Sequence, residues 1–130
     1  MPKVYIAGPY SHESAMIRES RFYSLTQVAA HLWERRITCY SPITEGHTVV
    51  TVGGRDIPTD WEFWKQHDTE MIAHCKVFLR VLLSGHEKSV GLAAETEIAR
   101  SLGLPIVEHS ICDPVEQLVA DINAAMGGGK

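Results

Sequence analysis

Glu95 falls on the apolar stripe of a helix. In the stretch SVGLAAETEIARSLGLPI, residues 89–106, a helix starting near Gly91 aligns Leu92, Ile98, Ala99 and Leu102, and Glu95 stands three residues from both Leu92 and Ile98. Glu97 and Arg100 already supply a polar face. A second helix, residues 60–75, repeats the pattern: Trp61, Trp64, Met71, Ile72 and Cys75 form its stripe, and Asp68 lies four residues from Trp64 and three from Met71. An inward carboxylate is costly unless it caps a helix, pairs with a buried Arg or His, or does chemistry, and two in one small domain favour chemistry.

Paired acids beside a sugar carbon are the equipment for breaking a glycosidic bond: one attacks or stabilises the anomeric centre, the other handles the proton. Glu95, near a helix N-terminus, is expected to stay ionised and to suit the nucleophile. The preceding Ser89 and Gly91 offer a hydroxyl and free N–H groups, a phosphate cradle if the helix begins there and otherwise a plain N-cap. AGPYSHES adds Gly8, Tyr10, Ser11 and His12 after the first strand, the end of the sheet where open α/β folds bind ligands.

The elements that must position these residues are legible as apolar runs. KVYIAG (3–8), ITCYSP (37–42), KVFLRVLL (76–83) and LPIVEH (104–109) are continuous enough for strands covered on both faces. Helical spacing occupies residues 16–36 and 60–75, the segment around Glu95, and residues 113–126, where Asp113 is expected as N-cap with Pro114 at the first helical position. The order β-α-β-α-β-α-β-α predicts an α/β fold: an open parallel sheet with helices on both faces, flavodoxin- or Rossmann-like. Residues 43–59, broken by Gly53, Gly54 and Pro58, are expected as a long irregular lid or mobile insertion, with TVVTV short enough for a hairpin arm. Glu45 and His47 in that segment lie at the ligand-binding end. Residues 1–126 are read as one domain and 127–130 as a flexible tail.

Bulk properties narrow the partners. A chain of 130 residues can bury a core of its own, and 45% hydrophobic with 22% charged residues is an ordinary globular balance. The net charge of −4 disfavours a nucleic-acid polymer but permits a small anion at a local site. Cys39, Cys75 and Cys112 make no paired framework, which fits a reducing cytoplasm, and no signal peptide or membrane span is expected. His67, Glu70 and His74 share a helix face at metal-compatible spacing, yet a solvated polar face is the simpler reading; no metal or other cofactor is required. Trp61, Phe63 and Trp64 could stack a base, although aromatics at this spacing usually serve the core.

VYIAGPY, HDTEMIAHCKVFL and SVGLAAETEIARSLGLPI, in this order, resemble the nucleoside 2-deoxyribosyltransferase superfamily, including its nucleoside 5′-monophosphate N-glycosidase branch. The resemblance implies Glu95 as nucleophile, Asp68 as second carboxylate, and Tyr5 as the strand tyrosine that orients the nucleophile. Ser89 stands where the transferases carry Asp and the monophosphate hydrolases carry Ser, which implies a nucleoside 5′-monophosphate, ribose or 2′-deoxy, rather than a free nucleoside. Lys76, in place of a frequent acid, and Ser11 with His12, in place of other phosphate-loop residues, are departures. The implied activity is hydrolytic release of a base, with base exchange or a non-catalytic nucleotide-binding module as the alternatives. A homo-oligomer, dimer or larger, is implied as well.

Overall fold

The computed structural model describes residues 2–58 and 60–127. Its elements follow the expected order: β1 (Val4–Ala7), α1 (Ala15–Glu34), β2 (Cys39–Tyr40), α2 (Pro42–Val52), α3 (Trp61–His74), β3 (Val77–Val81), a 3₁₀ turn (His86–Lys88), α4 (Val90–Ser101), β4 (Ile106–His109) and α5 (Val115–Ala125). Among the described residues the strands form one sheet in the order β2-β1-β3-β4, every pairing parallel. This is the flavodoxin-like arrangement, with its switch point between β1 and β3, where successive crossovers leave in opposite directions.

The period of a strand sorts the core into two layers. Val4 and Ile6 of β1 point to one face, where Leu25, Val28 and Leu32 of α1 and Leu118 and Ile122 of α5 cover them. Tyr5 and Ala7 point to the other, against Ile72 of α3 and Leu92 and Ala99 of α4. Parallel register then places Tyr40, Tyr5 and Phe78 side by side beneath α3 and α4. The rings of Tyr5 and Phe78 stack at 5.6 Å between centroids.

The segment expected to be an irregular lid is a helix over most of its length, α2. Ser41 is its N-cap, accepting from the Thr44 amide, Pro42 opens the first turn, and Glu45 follows as an early acid. The run of Thr and Val lowers helix propensity, which is why it reads as extended in isolation. Here the hydroxyls of Thr48 and Thr51 return to the carbonyls four residues back, and the helix lies against α1 and β1. The irregular part shrinks to residues 53–60, of which Thr59 lies outside the described residues.

Other boundaries move slightly. Pro114, not Asp113, is the N-cap of α5, and the Asp113 carboxylate instead accepts from the Ser110 amide. Leu102, expected on the inward stripe of α4, is the half-exposed C-cap, and buried Thr96 joins Leu92 and Ala99 inside. The expected tail lies, apart from Gly127, outside the described residues. Cys39, Cys75 and Cys112 are free, and burial pushes the Cys39 and Cys75 thiols up to about 11. No described helix is long and apolar enough to cross a membrane.

Ser41 is buried, and its hydroxyl also donates to the Thr44 hydroxyl at 2.9 Å. Ser41→Ala is expected to lower stability by about 1 kcal/mol, read in urea denaturation as a lower midpoint with an unchanged slope; an unchanged midpoint would contradict the capping role.

Candidate functional site

A cavity of about 370 Å³ opens above the C-terminal ends of β1 and β3. That is the switch point, where two loops diverge and leave a crevice between them. Loop β1–α1 contributes Gly8, Tyr10 and Ser11, the start of α4 contributes Ser89 and Gly91, and α2 and α3 supply the facing wall. Asp68 and Glu95 both reach this cavity, 8% and 5% exposed respectively.

Three elements bring the acidic pair together. Glu95 is carried inward by the same turn spacing that buries Leu92 and Ala99, Asp68 by the spacing that buries Ile72, and α3 lies beside α4. Tyr5 lies beneath them on β1, fully buried, and its hydroxyl donates to Glu95 Oε2. Tyr5 is not on the cavity wall and reaches the site only through Glu95. On the outer side, the His67 ring nitrogen Nδ1 lies 3.2 Å from Asp68 Oδ1.

The electrostatics differ from the expectation for Glu95. Burial, then the neighbouring Asp68 charge, hold its carboxyl well above the usual range, and the Tyr5 hydrogen bond opposes them. The helix dipole does not rescue the charge because Val90 is the first helical residue, which puts Glu95 in the second turn, and the dipole acts chiefly over the first. Burial also raises Asp68, with the contacts to Glu95 and His67 pulling it down. Tyr5 is raised well above an ordinary phenol, by burial and by Glu95. Two such carboxyls titrate as a unit that holds a proton at a pH where isolated acids have lost theirs.

The α4 N-terminus is built as an N–H cradle. The Ser89 hydroxyl accepts from the Leu92 amide at 3.2 Å, and the Ser89 carbonyl accepts from the Ala93 amide at 3.1 Å. The amides of Val90 and Gly91, in the first turn, have no carbonyl of their own helix to bond, and the Ser89 hydroxyl keeps its proton to donate. A Cβ on Gly91 would meet nothing within 4 Å, so its lack of a side chain answers no crowding within the chain. Gly8 is different: a Cβ there would come within 2.7 Å of a Leu25 methyl, so a side chain at this position would force the buried Leu25 to shift.

His47 of α2 lines the cavity and is buried, stacked on Phe22 at 4.0 Å. Its Nε2 lies 3.1 Å from the Glu19 carboxylate and its Nδ1 2.7 Å from the Tyr10 hydroxyl. A carboxylate only accepts, so Nε2 carries the proton, and in the neutral ring Nδ1 accepts from Tyr10. Glu45 is elsewhere, accepting from the Tyr40 hydroxyl at 2.8 Å. Trp61 and Trp64 line the cavity, whereas Phe63 is half exposed and does not. His12 lies outside it, and Lys76 is exposed just before β3, at the opposite end of the sheet. His67 turns to Asp68 and, at 3.8 Å, to Glu45, and no cluster among the described residues could hold a metal ion.

Lys88 lines the cavity beside Ser89 and was not singled out from sequence. A lone Lys before a helix carries no pattern. The α2 residues Pro42, Ile43, Gly46 and Val50 were missed with their helix, although Ser41-Pro42 followed by Glu45 is a helix-start signature.

Fold and site together define a doubly wound α/β protein with a buried acid pair at its switch point and an N–H cradle beside it. Over residues 2–111 the chain matches the model of DUF1937, a domain of unknown function, and it belongs to that family. The match takes in all four strands and both acids, and it ends before α5. No curated protein matches the chain.

The raised carboxyls have a consequence for stability. The folded state binds more protons than the unfolded chain above the ordinary carboxylate range, so the contribution is fully present below that range and is lost as pH rises. Glu95→Gln is therefore expected to raise the melting temperature at pH 8, by a few degrees for about 1 kcal/mol, and by less at pH 4. Thermal denaturation at the two pH values checks it; equal shifts would contradict a strained carboxylate.

Proposed function

We propose that the protein cleaves the N-glycosidic bond of a nucleoside 5′-phosphate, releasing the base. The observation that carries this reading is the convergence of Glu95 and Asp68 at the cavity that also receives the α4 N-terminus, with the Tyr5 hydroxyl holding Glu95 from beneath. A volume of about 370 Å³ suits a small-molecule ligand. The phosphate lies on Ser89 and the Val90 and Gly91 amides, with Tyr10 and Ser11 on the opposite rim and the base between the α2 and α3 walls.

The resting pair is singly protonated with the proton favoured on Glu95, and the reactive form is the tautomer in which that proton has passed to Asp68, leaving Glu95 ionised and receiving the Tyr5 hydrogen bond. A Glu95 oxygen bonds to the anomeric carbon as the carbon–nitrogen bond breaks and its electron pair goes to the base. Asp68 gives its proton to the departing base. Water then attacks the same carbon and loses a proton to Asp68, and Glu95 leaves as a carboxylate, so the pair returns to its starting state. The likeness of VYIAGPY and the Glu95 segment to the deoxyribosyltransferase superfamily supports the same chemistry.

Incubation with a panel of nucleosides and nucleotides, with and without added bases, tests the reading by chromatography of free base. Release with water alone is expected, and Glu95→Gln is expected to lose about a thousandfold or more of kcat, at unchanged secondary structure. A requirement for an acceptor base would replace hydrolysis by transfer; binding without turnover would end the enzymatic reading. The pH profile offers a second check. Asp68→Asn removes the charge that raises Glu95, so the acid limb moves to lower pH, whereas Tyr5→Phe removes the bond that lowers it, so the limb moves up. Shifts in the same direction would contradict the assignment.

A further inference from the structure

A second, larger cavity of about 710 Å³ adjoins the first, and Ser11, Lys88 and Ser89 line both. Its charge is unlike that of the chain. The protein carries −4 overall, yet none of the twelve residues lining this cavity is Asp or Glu, and Arg21, Lys88 and His12 are among them. The nearby acids Glu19 and Glu87 are turned away, to His47 at 3.1 Å and His86 at 3.3 Å. Hydroxyls of Ser11, Ser20 and Ser84 complete a wall of donors.

Arg21 is the central feature. It projects from α1 between the two loops of the switch point, donating from Nη1 to the carbonyls of Tyr10 and Ser11 and from Nη2 to that of Ser84. Gly85, at φ +86°, admits the guanidinium, since a Cβ there would lie 2.6 Å from Nη2. These bonds clasp the loops together. They leave Nε buried without a partner, and among the described residues no carboxylate neutralises the charge. A pinned, partly buried cation facing an acid-free cavity is an arrangement that an anion completes.

We propose that the second cavity takes the outer phosphates of a nucleoside 5′-di- or triphosphate, the first phosphate lying on the α4 N-terminus and Lys88 bridging the two compartments. This extends the glycosidase reading, since it places the sugar over Glu95. A phosphate chain leaving the Ser89 cradle enters the cavity beside Lys88 and meets Arg21 beyond it, with no acidic side chain on the way.

Calorimetric titration of inorganic tripolyphosphate and orthophosphate into the full chain at low salt tests the site without turnover. Tripolyphosphate is expected to bind about tenfold or more tighter, and Lys88→Ala to remove most of that advantage. Ser20→Glu sets a carboxylate on the exposed wall of this cavity alone, at a helical position where Glu is well tolerated, and is expected to abolish tripolyphosphate binding. Equal affinity for the two anions, or tripolyphosphate binding unaffected by both substitutions, overturns the proposal. Base release from mono-, di- and triphosphates then separates the two readings. Turnover of the triphosphate is expected to exceed that of the monophosphate in kcat/KM and to fall further in Lys88→Ala. Release confined to monophosphates overturns the outer-phosphate site and leaves the glycosidase reading standing. Substitution-sensitive tripolyphosphate binding with no base release from any nucleotide does the reverse.

Discussion

The site depends on keeping two carboxyls out of water and next to each other. Burial raises the pKa of each, and the Asp68 charge raises that of Glu95 further. The Tyr5 hydroxyl offsets part of this for Glu95 and reaches it only because it stands on the α3/α4 face of the central strand. A slip of one residue in β1 would send Val4 or Ile6 to that face and turn Tyr5 into the opposite layer, separating the tyrosine from both acids at once. The register of a four-residue strand therefore governs the protonation state of the pair.

The same sheet explains where the cavities are. Loop β1–α1 and the loop after β3 separate because α1 and α4 lie on opposite faces, and parallel strands direct both loops to one end. The crevice brings the start of α4 close to the acids of α3 and α4, combining an electropositive N-terminus with a negative pair. Arg21 holds the outer side of this crevice closed through backbone carbonyls of both loops. Loop separation creates the opening, and the clasp limits its width.

The α2 helix roofs the first cavity. It fixes His47 against Phe22 and between Glu19 and Tyr10, so a side chain from the segment after β2 is locked to α1 and to loop β1–α1. The proposed binding wall is thus a packed helix, fixed at its N-terminus through Ser41 and Pro42.

Local sequence determined the four strands, the α/β order and the inward direction of Glu95 and Asp68, because periods of 2 and 3.6 residues are properties of neighbouring side chains alone. It also marked Ser89 as a helix start. It marked the start of α2 through Ser41, Pro42 and Glu45 but not its continuation, since Thr and Val there favour extension until contacts with α1 and β1 and the Thr back-bonds outweigh propensity. Nor could it determine the acidity of Glu95, which an N-terminal position suggested would be that of a ready carboxylate and which burial beside Asp68 weakens by holding the carboxyl well above the usual range. Lys88 and Arg21 carry no pattern along the chain; they acquire meaning only as neighbours across two loops. Pairwise distance between remote segments, and the water that those segments exclude, are set by tertiary structure, and both the acid pair and the basic cavity are products of those two quantities.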